Sequence, residues 1–449
     1  MDPRIRDTVE ELNAAEVSTR LRAAEEIGEL VRSGGLEREE TEEVNNHVHT
    51  VYSFSPYAPS MAAYRSWEAG LKAVGIMDHD SVGGGEEMLT SCAAVGMGST
   101  VGFELRVNFS GTALEGRKLN SPDSTNIGYI AIHGIPRQSI DRCDEFLGPL
   151  QAARNERNRR MVDTLNTIIT GHGLPPLRFE EDVKGISKAD EGGSITERHI
   201  LFALGNLLIA TYGKGKPLME FLEGTFKLDL SGRIREFLSD PANPHYPYDL
   251  LGALKSSFID KIFLQPNEEE CINVVEAVDF ANSVGAIPAY AYLGDVAESP
   301  TGDKKAEKFE DSFLDELFPV IRDLGFKAVT YMPPRNTREQ LERIQSMCGD
   351  FGFMEISGVD INSSRQSFNC PIILEPEFRH LADATWALIA HEKLASCDER
   401  YGLFRKDNPL STLSLAERID RYNEVGRGMD QFRPDSCTEV FDDVIKESR

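Results

Sequence analysis

Three things are scarce in this sequence: paired cysteines, basic charge and long apolar runs. Its seven cysteines (Cys92, Cys143, Cys271, Cys348, Cys370, Cys397 and Cys437) are odd in number, scattered, and never spaced as CxxC. Neither a disulfide framework nor a cysteine zinc site is indicated, and a reducing, cytoplasmic setting is expected. With 48 basic against 74 acidic residues the formal net charge is −26. Such a surface repels a phosphate backbone, so nucleic acid is not an expected partner and any phosphate must be met by a local site. No apolar run reaches the roughly eighteen residues of a membrane span, and the opening "MDPRIRDTVEEL" lacks the apolar stretch of a signal peptide. A soluble protein with no membrane partner is expected. Internal repeats and low-complexity linkers are absent as well.

What is present is ample. The 449 residues, 40% of them hydrophobic, carry material for about three domains and a large core. Residues 1–40 read as helical: "TVEELNAAEVSTRLRAAEEIGELVRSGG" places apolar residues at helical spacing and stops at Gly34-Gly35. Across 41–139, short strand-like runs such as "EVNNHVHTV", "VGIMDHD", "STVGFELRV" and "NIGYIAIHG" alternate with helical ones, the rhythm of an α/β domain with a largely parallel sheet or barrel. Residues 140–280 are mostly helical, the alternation resumes over 281–375, and 376–449 form a helical tail. One α/β domain in two sequence pieces, interrupted by a helical insertion, is the simplest account.

The chemistry-bearing residues fall at strand ends. Alternate residues of a strand point the same way, so His47 and His49 in "NNHVHT" can present both imidazoles to one ion. Asp78 and His79 end the second strand, Glu104 interrupts an apolar third strand, and His133 ends the fourth. None of these groups should be buried without a partner, and in an α/β fold the strand ends that hold ligands gather on one rim.

In this order and spacing, "HVHT", "GIMDHD", "GFE" and "IHG" resemble the polymerase and histidinol phosphatase (PHP) family. The resemblance is strong from Val44 to Gly134 and weaker from Ser283 to Pro371. It implies a distorted (β/α)7 barrel whose strand ends hold two or three divalent metals, used mostly to hydrolyse phosphate esters. On this resemblance His47, His49 and Asp360 (in "SGVDIN") are ligands of a first metal, and Glu104 bridges to a second that His133 also binds. His79, with Asp78 beside it, belongs to a third. Three expected ligand positions are substituted: Phe54 or Ser55 after the first strand, Tyr292 in "AYAYLGD", and Asn362 in the late motif. The first metal keeps a full donor set for zinc, manganese or iron, the second a reduced one and the third little more than His79. One or two divalent ions per chain are therefore expected.

"ITERHI" is similar to an Arg-x-His segment of family members with a helical insertion, although here Arg198 and His199 are adjacent. At a helix start they are candidates for a phosphate clamp, with catalytic roles beside Glu104, and the insertion is expected to fold back over the metal rim. Arg106, Arg335 and Arg365 are further substrate-binding candidates, although a strand-edge salt bridge is the plainer reading of Arg106. Arg154, Arg157, Arg159 and Arg160 read as a solvated or salt-bridged helix face. Tyr57 and Pro59 are expected to wall the pocket, and His391 to be a core histidine. The expected function is a metal-dependent phosphoesterase acting on a small phosphorylated metabolite or nucleotide. The alternative is a PHP-like protein that binds metal and ligand but has lost turnover, against which the retained Glu104 argues.

Overall fold

The computed structural model describes residues 3–121, 124–230, 232–295 and 308–447. Seven strands make one sheet in sequence order: β1 (Val44–Val48), β2 (Ala73–His79), β3 (Gly98–Asn108), β4 (Ile127–His133), β5 (Ile287–Tyr292), β6 (Ala328–Tyr331) and β7 (Met354–Ser357). Most of their residues are buried, as strands covered on both faces must be, which is why "AVGIM" or "IPAYAY" reads as a nearly continuous apolar run.

Past β7, a bridge between Val48 and Ile361 sets the chain against β1, where His49 N donates to Ile361 O at 3.0 Å and Ile361 N to His47 O at 3.1 Å. The sheet thus curls into a nearly closed, distorted (β/α)7 barrel. Gly358 permits that closure, since a Cβ there would sit 2.6 Å from the His47 Cβ.

One strand departs from the expected pattern. β4 pairs antiparallel with both β3 and β5, whereas every other pair is parallel. Among the described residues no helix connects β3 to β4; the stretch "FSGTALEGRK" after β3 is rich in glycine and small polar residues, and the chain turns back instead of crossing over.

Two hydrophobic clusters organise the packing. The first joins the strands to the N-terminal helices Pro3–Glu11 and Val17–Arg32 through Val9, Leu12 and Ile27. It continues through Trp386, Tyr422 and Phe441 into the C-terminal helices His380–Cys397, Leu415–Gly428 and Cys437–Glu447. The second lies within the insertion and includes Met161, Leu204 and Leu254, with Phe54 inserted from the loop after β1. The helix Ile140–Thr170 belongs to both: Cys143, Leu147 and Leu150 pack on the barrel, while Met161, Leu165 and Ile169 pack in the insertion. A rigid rod shared by two cores fixes the insertion on the barrel.

For the basic run of the same helix, the salt-bridged alternative holds. Arg154 and Arg157 are buried, not solvated. They meet Glu270 and, with Arg106, Glu197 and Asp80, form a buried network of three guanidiniums and three carboxylates between barrel and insertion. Arg159 does face solvent, paired with Glu180. His391 is a core histidine, as expected: its Nδ1 accepts from Leu403 N at 2.9 Å and burial lowers its pKa to about 4. No described helix is long and apolar enough to cross a membrane.

Candidate metal centre

The parallel register pairs His79 of β2 with Glu104 of β3, and β1 delivers His47 and His49 beside them. Ligand atoms of His47, His49 and Glu104 all lie within 4.8 Å of one another. Glu104 Oε1 is 3.6 Å from His47 Nε2, 3.5 Å from His49 Nε2 and 3.0 Å from His79 Nδ1. Asp360, more than three hundred positions later in sequence, places Oδ1 3.2 Å from His49 Nε2.

The proton on His49 can be located from its neighbours. Ser53 Oγ donates its only hydrogen to Asp78 Oδ1 at 2.6 Å and lies 3.3 Å from His49 Nδ1. With that hydrogen committed, Ser53 can only accept, so Nδ1 carries the imidazole proton and Nε2 a lone pair. That lone pair is buried without a hydrogen-bond partner among the described residues, facing oxygens of two carboxylates. Lone pair against carboxylate is repulsive unless a cation sits between them. Two imidazoles and two carboxylates suit zinc, manganese or iron, so the residues present fit the expected divalent ion. Burial opposes charge on Glu104, but His79 and His47 outweigh it and hold its carboxyl well below the ordinary range.

One expected ligand, Asp78, is committed elsewhere, and another, His133, lies outside the three-residue cluster. Asp78 accepts from Thr50 N at 2.7 Å, Thr50 Oγ1 at 2.6 Å and Ser53 Oγ at 2.6 Å. It fixes the turn after β1 and orients His49 through Ser53 instead of joining the cluster. His133 ends a strand that runs backwards; two residues along from the Ala131 opposite Glu104, it faces the interior with Glu104, and its Nε2 is buried without a hydrogen-bond partner among the described residues. It is buried outside the cavity lining, and desolvation lowers its pKa to about 3.

Above the cluster lies a cavity of ≈ 240 Å³ lined by both the barrel and the insertion. The insertion covers the rim as expected, contributing Thr196, Glu197, Arg198 and Leu201 from the start of the helix Glu197–Tyr212. Arg198 forms no hydrogen bond or ion pair among the described residues, and its charge helps to keep Asp360 ionised. His199 does not line the cavity. It closes a capping box in which its Nδ1 accepts from Thr196 N at 3.0 Å, while burial lowers its pKa to about 3. A neutral imidazole used as a helix cap is not free for the clamp role expected of it.

Of the other arginines, Arg335 lines the cavity. Arg106 does too, although it is held by Tyr129 Oη at 2.6 Å and Glu197 at 3.1 Å, so the salt-bridge reading applies. Arg365 is turned away, bound by two hydrogen bonds of 2.7 and 2.9 Å to Asp249 and lying 3.7 Å over the Phe237 ring. At the substituted positions, Tyr292 donates its hydroxyl to Asp311 at 2.5 Å, and burial pushes its pKa far up. It stays a neutral phenol. Asn362 donates to Asp360 Oδ1 at 2.5 Å; Ser55 lies outside the cavity lining, and Phe54 packs edge-on against His199. Tyr57 and Pro59 do not wall the pocket. Tyr57 packs on Phe368, and Pro59 begins the helix Pro59–Glu68.

Sequence reasoning missed Ser53 and Tyr129. Tyr129 lies opposite Arg106, two residues along from the Glu104–Ala131 pair, and so faces the interior with Glu104. Its ring is 5.9 Å from that of His79. The signal was the glycine-rich, helix-free connection before β4, which calls for a reversed strand and hence for Tyr129 at the rim.

Comparison with known proteins adds similarity at the level of solved structures. A candidate metal-dependent phosphoesterase from Bifidobacterium adolescentis is similar over 74% of this chain and 94% of its own, at 17% identity and a TM-score of 0.48. An amidohydrolase from Chromobacterium violaceum, with sulfate bound and no metal, is similar over 76% of this chain and 96% of its own, at 16% identity and a TM-score of 0.46. No protein-family model and no curated protein matches the chain.

Proposed function

We propose that this chain is a metal-dependent hydrolase of PHP type, a phosphoesterase acting on a small phosphorylated metabolite or nucleotide. The observation that carries the reading is the buried lone pair of His49 facing Glu104 and Asp360, an arrangement a divalent cation completes. His47, His49, Glu104 and Asp360 would hold the ion, with His79 beside Glu104. A bound divalent metal lowers the pKa of its water towards neutrality and so supplies hydroxide. The chain's own residues do the rest. Arg198 binds a phosphoryl oxygen from the insertion side, where a helix N-terminus adds its own attraction for an anion. Leu201 and Phe263 on the cavity wall limit access of bulk water. The acidic surface keeps nucleic acid away while this local cation receives a small ester.

The second reading, metal and ligand binding without turnover, is favoured by Tyr292, whose hydroxyl is committed to Asp311 where the family resemblance would have a histidine. One experiment separates the two. Elemental analysis of purified protein should find close to one divalent metal per chain, lost in Glu104→Gln, and a panel of phosphate mono- and diesters should show turnover that disappears in the same variant. Metal without turnover on any ester would favour the second reading. Equal metal content in wild type and Glu104→Gln would remove both.

A further inference from the structure

Tyr129 has a hydroxyl that is only half used. Its oxygen accepts from Arg106 Nε at 2.6 Å, and Arg106 is itself braced by Glu197 at 3.1 Å and stacked over the Tyr129 ring at 5.3 Å. The hydroxyl hydrogen finds no acceptor among the described residues, although the side chain lines the cavity beside His79. A phenol held by its oxygen keeps one direction for its hydrogen, and in this half-buried side chain on the cavity wall that donor is open to a ligand oxygen.

Resting on the metal-hydrolase reading, we infer that Tyr129 is a substrate-binding residue that donates its hydroxyl hydrogen to an oxygen of the bound phosphoryl group, across the cavity floor from the guanidinium of Arg198. The class of ligand follows from the donors. The hydroxyl of Tyr129 comes from the barrel, the free guanidinium of Arg198 from the insertion, and the metal cluster lies on the rim between. Donors approaching from several sides suit a tetrahedral oxyanion better than a planar carboxylate, which a single guanidinium fork can satisfy. Arg106 has the role of holding the phenol: its Nε donates to Tyr129 Oη and its Nη1 to Glu197.

The probe is inorganic phosphate, titrated calorimetrically into metal-loaded protein. Tyr129→Phe keeps the ring, its contact with His79 and the packing around it, so folding and metal content should match wild type. Phosphate affinity should fall about tenfold or more, the usual loss for one hydrogen bond to a charged group. Inhibition of ester turnover by phosphate should weaken in parallel, and KM should rise more than kcat falls. A merely structural role would instead lower melting temperature or metal content without separating KM from kcat. Unchanged phosphate affinity in Tyr129→Phe, with metal retained, overturns this inference and leaves the hydrolase reading standing. Failure of the wild type to bind phosphate in a metal-dependent way overturns both.

Discussion

A single hydroxyl decides which nitrogen of His49 faces the cluster. Ser53 stands between His49 Nδ1 and Asp78 and relays the carboxylate's demand for hydrogen, so that Nε2 is left as the donor atom. Partners of this kind typically change metal affinity by about 10- to 100-fold. Ser53→Ala should therefore weaken metal binding by about that range in a chelator competition assay, with little change in unfolding midpoint. Unaltered affinity would mean that the ring is oriented by packing alone. The histidines and Glu104 were legible in the sequence because alternate residues of a strand share a face and an apolar strand has no other use for a carboxylate. Ser53 and the true role of Asp78 were not legible, because a hydrogen-bond relay leaves no periodic trace.

Among the elements, the loop after β7 shows how the insertion is tied to the candidate metal cluster through Asp360's neighbours. Asp360 and Asn362 stand on the same loop as Ser364 and Arg365, which the insertion grips through His245 Nδ1 at 2.8 Å from Ser364 Oγ and through the Arg365–Asp249 pair. Arg365→Ala leaves a buried carboxylate short of donors, which costs about 1–3 kcal/mol. Denaturant unfolding should register that loss, and metal affinity should fall with it as the Asp360 loop loosens. Stability lost at constant metal affinity would show that the clasp serves the insertion only. Arg365 looked like a substrate ligand in sequence because it follows a strand; a partner more than a hundred positions earlier was beyond any local pattern. The reversal of β4 is the other case. Strand character was plain in "NIGYIAIHG", but direction depends on whether the connection crosses over, which the alternation of strands and helices does not reveal. Long helices with clear apolar spacing at both ends of the chain posed no such ambiguity.

For the molecule as a whole, the buried network between barrel and insertion sets the response to acid. Burial pushes the Glu197 carboxyl up, but Arg106 and Arg157 outweigh it and leave it well below its ordinary value. Glu270 is likewise lowered, by Arg154 and Arg157 against burial. A carboxyl whose folded pKa is depressed stabilises the fold fully above its unfolded pKa, near 4.3, and that contribution is lost as the pH falls through the folded value. Asp80 works in the opposite sense, since burial outweighs Arg154 and raises its pKa. Stability from this network should thus be level around neutrality and fall below about pH 4.3. In Glu270→Gln, which leaves guanidiniums without their shared partner, the fold should be weaker by about 3–5 kcal/mol at pH 7 and less sensitive to acid. Urea unfolding at a series of pH values measures both; an unchanged acid slope would place the linkage elsewhere.

His133 and Ile287 are direct partners across the β4–β5 ladder, so the chain leaves the barrel and re-enters it at neighbouring points after an excursion of about 150 residues. In polymer terms the excursion is one closed loop. The entropy of closing it grows only as (3/2)RT ln n, about 4–5 kcal/mol at this length, and doubling the length would add about 0.6 kcal/mol more. The barrel is therefore almost indifferent to how much chain is spliced in there. His47, His49, Glu104 and Asp360 all lie outside the excursion, whereas Arg198 lies within it. Selection can lengthen, shorten or rebuild the insertion's side of the cavity at little thermodynamic cost to the barrel's histidine and carboxylate cluster, which makes this ladder a natural junction for reshaping the cavity while keeping the cluster.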